Sequence, residues 1–132
     1  MENTVRVDLG PQSYDIHIGE NCLSELPERL AGVPRKSRSI LVSDELVYSL
    51  YGEQVVEILR CAGFMMETAV IKGGEACKNL DTLSWLYEQM IEKGLDRQSS
   101  VFALGGGVVG DLAGFAAAIF GFGFSRSFYN LF

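Results

Sequence analysis

Apolar and polar residues alternate in two short runs at the start of the chain. Val5, Val7 and Leu9 are interleaved with Arg6 and Asp8, then Tyr14, Ile16 and Ile18 with Asp15 and His17. A period of two marks a half-buried strand, and Gly10-Pro11-Gln12 between the runs supplies turn chemistry, so a β-hairpin is expected. Asn21 can cap a short helix that ends near Gly32, ahead of Pro34.

The pattern then changes to strands separated by helices. Ser39-Ile40-Leu41-Val42 reads as a buried strand, followed by helical material from Asp44 to about Gly63. Met65 to Ile71 is the next strand. After the polar loop Lys72 to Lys78, Leu80 to Lys93 suits a helix with Leu83, Leu86, Tyr87, Met90 and Ile91 on one apolar face. Ser100 to Leu104 is a further buried strand, running into Gly105-Gly106-Gly107 and a helix from about Val109. Strands alternating with helices imply parallel crossovers. The expected class is α/β, a Rossmann-like parallel sheet with flanking helices behind an N-terminal hairpin. There is no internal repeat and no linker.

The 132 residues suit one domain or the front part of a larger protein. Hydrophobic residues at 48% and charged residues at 21% exclude disorder and low complexity. The net charge of −6 argues against a nucleic-acid groove, whose affinity rests on clustered Lys and Arg. It leaves room for a phosphate-bearing ligand, because backbone amides hold phosphate without cationic side chains. Cys22, Cys61 and Cys77 are odd in number and far apart, which fits a reducing compartment and no disulfide framework. With His17 as the one histidine and no Cys-x-x-Cys pair, a zinc site within this chain is not expected. Residues 1–8 lack the basic and apolar regions of a signal peptide, so a cytoplasmic location is expected. Val101 to Phe124 holds one charged residue, Asp111. Burying it in a bilayer would cost about 2.5–3.5 kcal/mol, and the glycine triplet breaks helix continuity, so no membrane span is expected.

The segment Leu104-Gly105-Gly106-Gly107-Val108-Val109-Gly110-Asp111 carries the most chemistry. Gly105, Gly107 and Gly110 satisfy G-x-G-x-x-G between a strand and a helix, where glycines let backbone approach a pyrophosphate and the helix start presents unpaired amides. The usual dinucleotide fingerprint also has an acid about 20 residues on, and Asn130 stands there. The motif also follows the third strand of the series and not the first. Asp111 suits either a first-turn acid complementing the helix dipole or an acceptor for ligand hydroxyls. In Gly73-Gly74-Glu75-Ala76-Cys77-Lys78, a carboxylate and an ammonium three residues apart can stand at the mouth of the strand ends. Taken by itself, the same loop reads first as a solvated turn before a helix. Asp44 suits a helix cap or a ribose acceptor.

Together, Leu41-Val42-Ser43-Asp44-Glu45, Gly74-Glu75-x-x-Lys78 and Ala103 to Ala117 resemble 3-dehydroquinate synthase, within the sugar-phosphate cyclases; the likeness covers residues 4–120. The resemblance implies an NAD-dependent phosphate lyase. It would turn 3-deoxy-D-arabino-heptulosonate 7-phosphate into 3-dehydroquinate in the shikimate pathway, towards aromatic amino acids. By this likeness Asp44, Glu75 and Lys78 contact the adenosine side of NAD. Gly106, Gly107 and Val108 line the pyrophosphate, and Asp111 meets the nicotinamide-ribose end. The intact enzyme would be a homodimer using a divalent metal, zinc or cobalt, and a phosphorylated sugar acid.

The likeness stops at Phe120. Phe122 stands where the family has a substrate-binding Arg, and the Pro-Thr-Thr segment and the helical second domain with its metal ligands are missing. Residues 1–120 are therefore expected to be an NAD-binding domain and 121–132 a divergent apolar tail, inactive alone. Ser127 to Leu131 can be encoded so that the next reading frame gives Pro-Ser-Thr-Thr, which suggests a frameshift; truncation is the alternative. The tail aromatics, Phe120, Phe122, Phe124, Phe128, Tyr129 and Phe132, are expected to lie exposed and favour self-association.

Overall fold

The computed structural model of the chain describes residues 3–10, 14–18, 22–120 and 128–131. It divides into two compact units, residues 1–31 and 32–132.

In the first unit β1 (Asn3–Val7) and β2 (Tyr14–Ile18) pair antiparallel, with Val5 opposite Ile16. This is the hairpin that the period of two predicts; its Pro11-Gln12 turn lies outside the described residues, as does Asn21. A single 3-10 turn, Cys22–Glu25, leads into α1 (Leu26–Arg29), with Pro27 in the first turn, where its missing N–H costs nothing.

The second unit is the α/β body. Its strands are β3 (Arg38–Asp44), β4 (Met65–Ile71), β5 (Val101–Leu104) and β6 (Phe128–Asn130), all parallel, in the order β4-β3-β5-β6. β3 is hydrogen-bonded on both sides and buried from Ser39 to Ser43. That is why its sequence is a continuous apolar run: a central strand with both faces covered has no solvent side to alternate towards. Ile40, Val42, Ala69, Ile71, Val101 and Ala103 face α4 (Leu80–Glu92) and α5 (Gly107–Phe120), which contribute Leu86, Met90, Val109, Leu112 and Ala113 to one core. Phe102 points the other way, edge-on to Phe64 at 5.3 Å between ring centroids.

Four expectations need correction. The helical stretch after β3 is three pieces: α2 (Glu45–Val47), a π turn at Tyr48–Gly52, and α3 (Glu53–Cys61). Gly52 is buried under the Tyr48 ring, where any Cβ would collide with it. The apolar face of α4 is narrower than its sequence suggests, since Ile91 is 54% exposed. α5 starts at Gly107, two residues early, so Asp111 falls in its second turn and cannot cap it. The tail is not uniformly exposed. Residues 128–130 form β6, Tyr129 stacks on Phe102 at 5.4 Å, and Leu131 N–H donates to Ala103 O at 2.7 Å. Phe120 packs edge-on to Tyr87 at 5.7 Å. Phe122, Phe124 and Phe132 lie outside the described residues. On α5, Phe115 and Ile119 are exposed. Among the described residues, no helix is long and apolar enough to cross a membrane.

Candidate functional site

In the order β4-β3-β5-β6 the chain leaves β3 for one neighbour and returns to pair on its other side. The connections beyond β3 and β5 therefore diverge, which opens a crevice at their carboxyl ends. In open α/β sheets that switch point is where ligands bind. It also explains why the glycine motif follows β5: the strand order makes β5 the neighbour of β3.

Ser43 and Leu104 are register partners at the floor of the crevice, and the buried Ser43 hydroxyl donates to Leu104 O at 2.7 Å. The next residues, Asp44 and Gly105, form its walls. Asp44 Oδ1 accepts the Val47 N–H at 2.8 Å and caps α2. Its other oxygen, Oδ2, lies towards Gly105, 3.4 Å from where a Cβ on that residue would stand. On the opposite side, a Cβ on Gly73 would stand 2.8 Å from Asp44 Cβ. Asp44 thus fits between two glycines, and Gly73, at φ +91°, adopts a backbone that favours glycine.

Gly106 and Gly107 are exposed, with open space where their side chains would be. The first α-helical bond of α5 runs from Gly110 N–H to Gly106 O at 3.1 Å. The amides before it, including those of Gly107 and Val108, carry the positive end of the helix dipole at the crevice.

The loop after β4 turns at Gly73 and Gly74, makes one 3-10 turn over Glu75–Cys77, and ends at Lys78. Lys78 Nζ donates to Asp111 Oδ2 at 2.7 Å, with both side chains about half exposed. This bond, and the carboxylate's charge, hold the Lys78 proton above the ordinary lysine range, and Glu75 adds to the effect. The two residues that the resemblance assigns to different parts of NAD therefore meet each other here.

The seven residues singled out in the sequence lie as follows: Asp44 ends β3, Glu75 and Lys78 are in the loop after β4, Gly106 precedes α5, and Gly107, Val108 and Asp111 are in its first two turns. Ser43 escaped notice, although a hydroxyl inside an apolar strand was a signal for it. Asn130 of β6 also reaches this end, its Nδ2 3.0 Å from where a Cβ on Gly110 would stand. The arrangement offers carboxylate acceptors for hydroxyls, one ammonium, and backbone amides for phosphate. Among the described residues, no group of three His, Cys, Asp or Glu could hold a metal ion.

Residues 68–128 match the family described as 3-dehydroquinate synthase N-terminal. The chain is 50% identical over 117 residues to 3-dehydroquinate synthase from Pelotomaculum thermopropionicum, covering 89% of the chain and 32% of that protein. The corresponding enzyme of Desulforamulus reducens is 47% identical over 117 residues, with 33% of its length covered. The chain thus spans about a third of the curated relatives it matches. Among solved structures, 2-deoxy-scyllo-inosose synthase, complexed with carbaglucose-6-phosphate, NAD+ and Co2+, superposes with a TM-score of 0.74. The identity is 26%, with 89% of this chain and 31% of that one covered. A 2-epi-5-epi-valiolone synthase from Streptomyces hygroscopicus, with NAD+ and Zn2+ bound, gives 0.70 at 30% identity, over 93% and 33% of the two chains.

Proposed function

We propose that this chain, whose sequence resembles the N-terminal third of 3-dehydroquinate synthases, is the NAD-binding portion of such an enzyme. The intact enzyme would be a carbon–oxygen lyase, acting as a homodimer, that cyclises 3-deoxy-D-arabino-heptulosonate 7-phosphate to 3-dehydroquinate and releases phosphate. The observation that carries the reading is the crevice between β3 and β5, where Asp44 fits between Gly73 and Gly105 at the strand ends that lead into α5.

NAD bound there supplies a hydride acceptor. The chain's own residues bind and orient it. The amides around Gly106, Gly107 and Val108 receive the pyrophosphate, and Asp44 Oδ2 accepts from a ribose hydroxyl while Oδ1 stays on α2. Lys78, Asp111 and Glu75 bring one positive and two negative groups to the rim. None of these is a proton-transfer group, and the chain alone is proposed to be inactive. The divalent metal that goes with the reaction has no fitting ligand set among the described residues.

A related cyclase acting on another sugar phosphate is a second reading, favoured by the two NAD-bound structural neighbours. The higher identity to 3-dehydroquinate synthases ranks the first reading above it. Calorimetric titration of the purified chain with NAD tests the shared claim: saturable heat is expected, and the affinity should fall several-fold in Asp111→Ala. A folded chain that gives no heat would remove the cofactor assignment.

A further inference from the structure

At the carboxyl end of β4, between the loop that follows it and the first turns of α4, lies an open groove of about 340 Å³. One wall is apolar, made by Val70, Ile71 and the indole of Trp85, which is 38% exposed. The rest is polar and carries both signs of charge. Lys72 leaves the end of β4, while Asp81 and Thr82 come from the first turn of α4. Asp81 and Trp85, four residues apart, share a helix face. Among the described residues, neither Lys72 nor Asp81 is engaged in an ion pair.

The volume is at the low end of small-molecule sites, about 300–1,000 Å³, so the occupant is small. One ammonium and one carboxylate cancel, which disfavours a phosphate or a polycation. They complement a ligand that carries both charges itself. The apolar wall asks for a hydrocarbon part. We propose that this groove is a second ligand site, for an α-amino acid with a large apolar side chain. Lys72 receives its carboxylate, Asp81 its ammonium, and Trp85 covers its side chain. This assignment does not rest on the cofactor reading, although Cys77, beside Lys78, lines the same groove.

Trp85 is the one tryptophan of the chain, so its fluorescence reports occupancy directly. Titration of the folded chain with L-leucine is expected to give a saturable change. Isoamylamine, which lacks the carboxylate, and 4-methylpentanoate, which lacks the ammonium, should each bind about tenfold more weakly, the loss of one charge-assisted hydrogen bond. Lys72→Met and Asp81→Asn should each weaken L-leucine by a similar factor. If a variant misfolds, the three compounds compared on the unaltered chain still test both charge contacts. No saturable change with L-leucine, or equal binding by the three compounds, overturns the proposal.

Discussion

Lys78 and Asp111, 33 residues apart in sequence, meet at 2.7 Å across the rim of the crevice and tie the loop after β4 to the second turn of α5. If NAD uses both, they act as a unit. Lys78→Ala and Asp111→Ala should each weaken NAD several-fold, and the double variant should lose little more than the worse single one. Losses that add on a logarithmic scale would show two independent contacts. A calorimetric double-mutant cycle decides between them.

The same pair makes the chain sensitive to alkali. Lys78 is raised by its bond to Asp111, and the Tyr129 phenol is raised by burial. Both native groups keep their protons to higher pH than the unfolded chain, whose values are about 10.4 and 10. Stability from these groups is therefore fully present below about pH 10 and is lost as pH rises through the raised native values. Thermal midpoints should be level from about pH 7 to 9 and fall as pH rises past about 10. Tyr129→Phe, which keeps the ring, should reduce the fall. An unchanged profile in that variant would place the alkaline loss elsewhere.

Asp44 has two tasks that substitution can separate. Asp44→Ala removes the cap on α2 and should cost about 1 kcal/mol, whereas Asp44→Asn keeps an oxygen for Val47 N–H and should cost only a few tenths. Both remove the carboxylate that the ribose reading requires, so both should weaken NAD by about tenfold. Denaturant unfolding and NAD titration of the two variants give the comparison. An Asn variant that binds NAD like the original chain would leave Asp44 as a cap alone.

Which parts of the fold could be read in the sequence follows from where the information lies. β3 and α4 were legible because burial on both faces, or on one helical stripe, writes a pattern of period one or 3.6 into neighbouring residues. The hairpin was legible from its period of two and the turn residues between the two runs. The strand order was not, because no local pattern says which side of β3 the chain returns to. With the order unknown, a glycine motif after the third strand looked misplaced, whereas beside β3 it faces Asp44. The Lys78–Asp111 bond was illegible for a related reason: it depends on how two connections converge. β6 was hidden because its three residues are too few to show any period. The π turn at Tyr48 depends on the contact of one ring with Gly52, and nothing in a helical pattern announces it.

β6 is also where a prediction bears on the chain as a self-standing body. β5 is buried at all four positions, and without β6 its outer edge would present unpaired backbone beside apolar side chains, an invitation to association. Tyr129 anchors the covering strand by stacking on Phe102, and Leu131 N–H closes the ladder on Ala103 O. Tyr129→Ala removes a half-buried ring and should destabilise the α/β unit by about 1–3 kcal/mol. In a body of this size that lowers the thermal midpoint by about 5 °C or more. Tyr129→Phe should stay close to the original at neutral pH. A chain ending at residue 127 should go further and self-associate in gel filtration, because it lacks the strand altogether. If that shortened chain instead runs as a monomer with an unchanged midpoint, β6 contributes nothing to the unit, and the protection of β5 must come from elsewhere.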